Sequence, residues 1–305
     1  MIVSAIAAAG CTTANEVAEA EPNATIAATT PVVATSEALS AEPTVAATTP
    51  APATTETLPA TIEVVVATPP PTPPPTEAPT TVAPPATVPP VVETRQLGTS
   101  VEGRPITAVR RGTPGGRVVL IVGVIHGDEN AGLAIIDLLE QYEVPAGVDL
   151  WLVDSMNPDG VANNDRHNAN QVDLNRNFPA DWGPIGVPGD GQYAGPSVAS
   201  EPETQAMIAF ITEIRPDLVM WYHQDLFRIS PGKGRDGAIR QRYADLVGLP
   251  VVSITGGIYT GVAATWARRT IDPGVAFIVE LGATLTPEEA DRHARAVLTI
   301  AAEPN

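Results

Sequence analysis

Before Arg95 the chain contains no lysine, arginine, phenylalanine, tryptophan or tyrosine. Without bulky apolar groups, that stretch cannot offset the entropy of ordering a backbone. Ala, Thr, Pro, Val and Glu dominate it, and the Pro-rich part at residues 68–76 favours extended polyproline geometry. Residues 12–94 therefore read as a disordered, semi-stiff stalk. Cysteine is nearly absent as well. Cys11 stands alone, which excludes an intrachain disulfide and leaves the redox compartment unread. No segment is long and apolar enough to span a bilayer. Basic residues are scarce throughout, 17 Lys and Arg against 35 Asp and Glu, for a formal net charge of -18. That balance argues against nucleic acid as a partner, because phosphate contacts need a basic surface.

At the N-terminus, a short and mostly apolar run at residues 2–9 leads into Ala8-Ala9-Gly10-Cys11. Small residues before a lone cysteine resemble the lipobox of bacterial lipoproteins, where a signal peptide is cut and the cysteine acylated. The expectation is a signal segment at residues 1–11, a lipid anchor at Cys11, and a location on the extracellular face of a bacterial cell, tethered or secreted. The run departs from that pattern in being short and in having no Lys or Arg ahead of it.

Residues 95–305 read as one α/β domain, large enough for a sizeable core. Apolar, β-branched runs predict strands at 106–109, 118–125, 148–153, 218–222, 251–254 and 275–281. Helical periodicity predicts helices at 131–142, 201–214, 238–247, 262–269 and 287–302, the last opening on Pro287-Glu288-Glu289. Strands alternating with helices imply a mixed, largely parallel sheet with helices on both faces.

The run at 118–125 ends in His126-Gly127-Asp128-Glu129. Ligands of open α/β sheets sit just outside the carboxyl ends of strands, so His126 and Glu129 emerge where chemistry is expected. Taken alone the stretch also fits a polar surface turn. His223 stands at the end of another apolar run, and with His126 and Glu129 it would make a His₂Glu zinc site with an open position. His167, in a polar loop, and His293, on a charged helix, read as ordinary surface residues. Glu280 ends the apolar run 275–281, where a carboxylate is expensive unless paired or functional; general base and salt-bridged structural residue are both open readings. In Val172-Asp173-Leu174-Asn175-Arg176-Asn177-Phe178-Pro179, Arg176 offers a planar fork for a carboxylate and Asn175 an amide donor. Arg166 can supply positive charge to an oxyanion, and Asp173 can accept the second ring N–H of a ligand histidine. Each could equally be a loop hydrogen-bonding residue.

Together these residues resemble the zinc metallocarboxypeptidases of the carboxypeptidase A type, and within them the branch of bacterial murein peptide amidases. The matching pieces run in order: Gly103-Arg104-Pro105-Ile106, His126-Gly127-Asp128-Glu129, Asn157-Pro158-Asp159-Gly160, the 173–179 string, Glu201-Pro202-Glu203-Thr204, His223 and Glu280. The resemblance implies one zinc ion on His126, Glu129 and His223, Glu280 as general base and acid, and Arg166 as the oxyanion partner. It implies Asn175 and Arg176 as the clamp for a terminal carboxylate, with Tyr259 as a substrate-closing residue. It implies hydrolysis of an amide next to a terminal carboxylate, in cell-wall peptides between γ-D-glutamate and diaminopimelate. A general carboxypeptidase is the alternative, and a non-catalytic wall-binding protein a third reading. Gln171 stands where the family pattern has glycine. The residues setting specificity are expected within 253–265, a stretch without any charged side chain.

Overall fold

The computed structural model describes residues 90–271 and 274–304. Residues 1–89, with Cys11 and nearly all of the stalk, lie outside them. Seven strands build the sheet: β1 (Glu93–Thr99), β2 (Pro105–Gly112), β3 (Arg117–Val124), β4 (Val148–Ser155), β5 (Leu218–Gln224), β6 (Arg228–Ile229) and β7 (Val275–Leu281). Their order is β1-β2-β4-β3-β5-β7-β6. The four central strands β4, β3, β5 and β7 are parallel, while β1, β2 and β6 add antiparallel edges. The expected mixed, largely parallel sheet is therefore parallel at its centre, where strands buried on both faces must be continuously apolar.

Alternation sorts the side chains. Val219 and Trp221 of β5 join Leu120, Val122 and Ala276 on one face, covered by α3 (Pro202–Ile214) and α5 (Ala263–Thr270). Met220 and Tyr222 join Ile121 and Phe277 on the other, under α1 (Gly132–Gln141), α4 (Gly234–Val247) and α6 (Pro287–Ala302). His223 and Glu280 continue the first face and are register partners on neighbouring strands. Truncating a fully buried aromatic such as Trp221 or Phe277 costs about 3–5 kcal/mol, so this alternation holds the strand ends firmly. α6 begins as expected at Pro287, with Thr286 and Glu289 each accepting the other's backbone N–H in a capping box.

Three expectations are corrected. Residues 251–254 form no strand; only Val251 bridges to Ile229, because Pro250 and the glycines that follow leave no ladder to extend. β1 takes in Glu93 and Thr94, assigned above to the stalk, since Glu93 pairs with Arg110 across the edge. His293 is not a surface residue. It is 4% exposed, accepts a hydrogen bond from the Tyr243 hydroxyl at Nδ1 (2.7 Å), and burial pushes its pKa down to about 4. A short helix, α2 (Pro158–Asn163), begins within the Asn157-Pro158-Asp159-Gly160 motif.

Candidate active site

β3 delivers His126 into a tight turn in which Glu129 N donates to His126 O, so both side chains face the same space. Gly127 is required there, because a Cβ would sit 1.9 Å from Gly160 C. Asn157 pins the turn: its Nδ2 donates to Ile125 O (3.1 Å) and its Oδ1 accepts from Gly160 N (3.0 Å). Asp159, next in this motif, accepts from Ser100 Oγ and Arg104 Nη1, both at 2.6 Å, and so ties the loop after β1 to α2.

β5 lies beside β3 and brings His223 to the same place. Ligand atoms of His126, Glu129 and His223 lie within 4.8 Å of one another. His126 Nδ1 is 2.9 Å from Glu129 Oε1 and His223 Nδ1 is 2.9 Å from Glu129 Oε2, with the two rings edge to face at 4.6 Å. Gln224 braces Glu129, donating its backbone N–H to Oε2 (3.1 Å) while its side chain holds Ala131 N and the Gly282 and Ala283 carbonyls.

Asp173 stands behind His126, its Oδ1 accepting from Nε2 at 3.0 Å. Burial opposes charge on Asp173, but His126 and Arg166 outweigh it and hold the carboxyl well below the usual range. An ionised carboxylate can only accept, so the proton stays on Nε2 and the Nδ1 lone pair turns to the centre, the tautomer a metal ligand needs. Two imidazole nitrogens and a carboxylate converging in this way suit one divalent, zinc-like cation. Burial likewise opposes charge on Glu129, yet His126 and His223 hold its pKa well below the usual range.

Arg166 is brought into this cluster, donating from Nη1 to Glu129 Oε1 (2.8 Å) and His126 Nδ1 (3.1 Å), and from Nη2 to Asp173 Oδ2 (2.8 Å). Asn175 is the middle residue of a 3-10 turn (Leu174–Arg176) capped by Asp173, whose Oδ1 accepts from the Asn175 N–H, and its own Oδ1 accepts from Ala263 N (3.0 Å). Arg176 is 3% exposed, donates to Asn175 O, and lies 5.3 Å from the centroid of the Tyr259 ring. Its Nε has no hydrogen-bond partner among the described residues, and burial lowers its pKa. Tyr259 itself is exposed on the rim.

All of these residues except Asp173 line one cleft of about 460 Å³, together with Glu280. The Glu280 carboxylate makes no hydrogen bond or ion pair with any described residue. Burial, helped by the nearby Glu129 charge, pushes its pKa up to about 7, where a carboxyl can both take and return a proton near neutrality. Every sequence-predicted site residue thus lies in or against this cleft. His167 stays apart, bonded to Asp165 and the Asp190 carbonyl.

Sequence reasoning missed Gln224, Asn157 as a brace, and the extent of the side pocket. A second cavity of about 350 Å³ opens beside Glu280 and includes Ser253, Ile254 and Thr265 as expected, but also Arg240 and Arg268. The stretch 253–265 carries no charge of its own, but α4 and α5 each bring an arginine to this cavity from outside it. Gln171 adopts φ +61°, the left-handed region that glycine enters freely, which explains why glycine suits that position.

The chain matches the zinc carboxypeptidase family model over residues 85–225. It is similar to murein peptide amidase A of Escherichia coli (strain K12), 31% identical over an alignment of 188 positions that covers 57% of this chain and 75% of that protein. Among solved structures it is similar to the murein-tripeptide amidase from Escherichia coli O157, with a TM-score of 0.58 and 26% identity over 72% of this chain and 95% of that one. Carboxypeptidase A from Helicoverpa armigera shares the fold, at TM-score 0.62 and 20% identity, over 70% of this chain and 68% of that one.

Proposed function

This chain belongs to the zinc carboxypeptidase family, and on that premise we propose that it hydrolyses the γ-D-glutamyl–diaminopimelate amide of cell-wall peptides. His126, Glu129 and His223 would hold one zinc ion, which supplies Lewis acidity at the scissile carbonyl. Glu280 takes a proton from the attacking water as the C–O bond forms, then delivers it to the amide nitrogen as the C–N bond breaks. The products are a γ-carboxylate and a free amine. Arg166 stabilises the oxyanion; its Nη1 shares lone pairs on Glu129 and His126 that a cation would claim, so that role goes with a loaded site. Arg176 and Asn175 grip the terminal carboxylate of the leaving residue, and Tyr259 closes over it.

The observation that carries this reading is the convergence of His126, Glu129 and His223 opposite Glu280 and a buried Arg176 that lacks an anionic hydrogen-bond partner among the described residues. We further propose that the enzyme works at the outer face of a bacterial cell, tethered through Cys11 by a stalk that lets it reach murein. Small residues before a lone cysteine and the Pro-rich stalk support that placement.

The test incubates the zinc-loaded full chain with L-Ala-γ-D-Glu-diaminopimelate and with a panel of blocked dipeptides, following products by mass spectrometry. Free diaminopimelate, lost in Glu280→Gln, is the expected result. Release only of ordinary C-terminal residues overturns the substrate and leaves a general carboxypeptidase. No product from either, with zinc bound, replaces the enzyme by a wall-binding protein.

A further inference from the structure

We infer that Arg268 selects substrates whose leaving residue carries a carboxylate at the far end of its side chain. The second cavity shares Ile254, Tyr259, Val262, Ile278 and Glu280 with the catalytic cleft, so the two spaces open into each other beside the proposed base. On the amidase reading, a residue whose amide nitrogen lies at Glu280 and whose terminal carboxylate lies at Arg176 would find this adjoining cavity open to its side chain. Ala264 and Arg268 both line it, four residues apart on α5 and hence on one helical face.

Two cations border the cavity, and they differ. Arg240 is committed: its Nε lies 2.8 Å from Asp236 Oδ2, and its terminal nitrogens donate to the carbonyls of Ser230 (3.0 Å) and Ala276 (2.9 Å). Arg268 is half-buried and makes no hydrogen bond or ion pair with any described residue, whereas its neighbour Arg269 pairs with Asp181 at 2.8 Å. Asp236, which borders a neighbouring pocket together with Arg268, is taken by Arg240. A partly desolvated guanidinium with no ion-pair partner among the described residues repels a basic side chain and gains nothing from an apolar one. A carboxylate matches its planar fork with two parallel hydrogen bonds. For its preferred substrate the inference rests on the amidase reading above. Diaminopimelate is then distinguished from lysine, which is the same residue without the distal carboxylate.

The experiment uses the zinc-loaded full chain and two peptides, L-Ala-γ-D-Glu-diaminopimelate and L-Ala-γ-D-Glu-lysine, with kcat, KM and zinc content measured for each protein. The parent is expected to prefer diaminopimelate on the order of 10- to 100-fold in kcat/KM, mainly through KM. Arg268→Ala collapses that ratio, Arg268→Lys keeps part of it, and Arg268→Glu turns it in favour of lysine. A ratio retained in both Arg268→Ala and Arg268→Glu overturns the inference and leaves the amidase reading intact. If the parent cleaves neither peptide, the amidase reading fails separately, and the same variants are compared on blocked dipeptides ending in 2-aminoadipate or norleucine. A preference for 2-aminoadipate that Arg268→Ala abolishes sustains the role of Arg268. Equal cleavage, or none, overturns it.

Discussion

The two walls of the cleft treat charge in opposite ways. On one, His126, Glu129, Arg166 and Asp173 satisfy each other, every contact falling between 2.8 and 3.1 Å. On the other, Arg176 and Glu280, with Arg268 in the adjoining cavity, have no ion pair with a described residue, although Arg176 is almost wholly buried. A self-satisfied buried network holds its geometry before anything binds, and breaking one member leaves the rest uncompensated. An unpaired, desolvated charge raises the free energy of the empty protein and returns it when a complementary ligand arrives. The first wall holds a fixed set of ligands; the second is where substrate supplies the missing partners.

The sharpest way to break that comparison is at the reacting proton. Glu280→Gln keeps the shape of the cleft and removes the base, so kcat should fall roughly 10²- to 10⁴-fold in the peptide assay, with zinc content retained. Asp173→Asn comes next. It replaces the anionic acceptor of His126 Nε2 by a neutral amide and removes the charge that pairs with Arg166, so zinc affinity should drop on the order of 10- to 100-fold in a competition titration. Stability of the metal-free protein should fall by about 3–5 kcal/mol in denaturant. Arg176→Met should do the reverse on the other wall. It should raise KM on the order of 10- to 100-fold while leaving the free protein as stable as before or more so.

Glu280 gives a pH signature. Its folded pKa of about 7 lies above the ordinary value of 4.5, so its protonated form contributes stability below about pH 4.5 that is lost as pH rises through 7. Metal-free Glu280→Gln should therefore match the parent in Tm at pH 4 and exceed it at pH 8, by roughly 2–4 °C. The smallest effect belongs outside both walls. Gln171→Gly relieves a left-handed residue at some cost in unfolded-state entropy, for a net gain of about 0.5 kcal/mol, read as a shift in denaturation midpoint.

Long apolar runs made the central strands legible, because strands buried on both faces must be continuously apolar. β1 was missed because an edge strand reading Glu-Thr-Arg-Gln needs no such run, and β6 because it has only two residues. The run 251–254 misled because β-branched residues signal a strand only if a neighbour offers a ladder. The surface reading of His293 failed because the charged residues around it on α6 face outward while its own position faces the core. Arg268 went unseen since its helix carries it from beyond the loop into the same cavity.

The sequence by itself determined which residue types stand at strand ends, since hydrophobic periodicity assigns each side chain a face, and it placed His126, His223 and Glu280 at the ends of buried runs. It also determined the acidic, aromatic-free composition of the first 94 residues. Only the tertiary structure decided that β3 lies between β4 and β5, with β7 beyond, so that residues 126, 166, 173, 223 and 280 meet. It alone paired Arg166 with Glu129 and Asp173 and left Arg176 and Arg268 without an ion pair among the described residues. The physical reason is that periodicity is local. Which strands become neighbours, and which charges find partners, depends on burying the whole sheet at once.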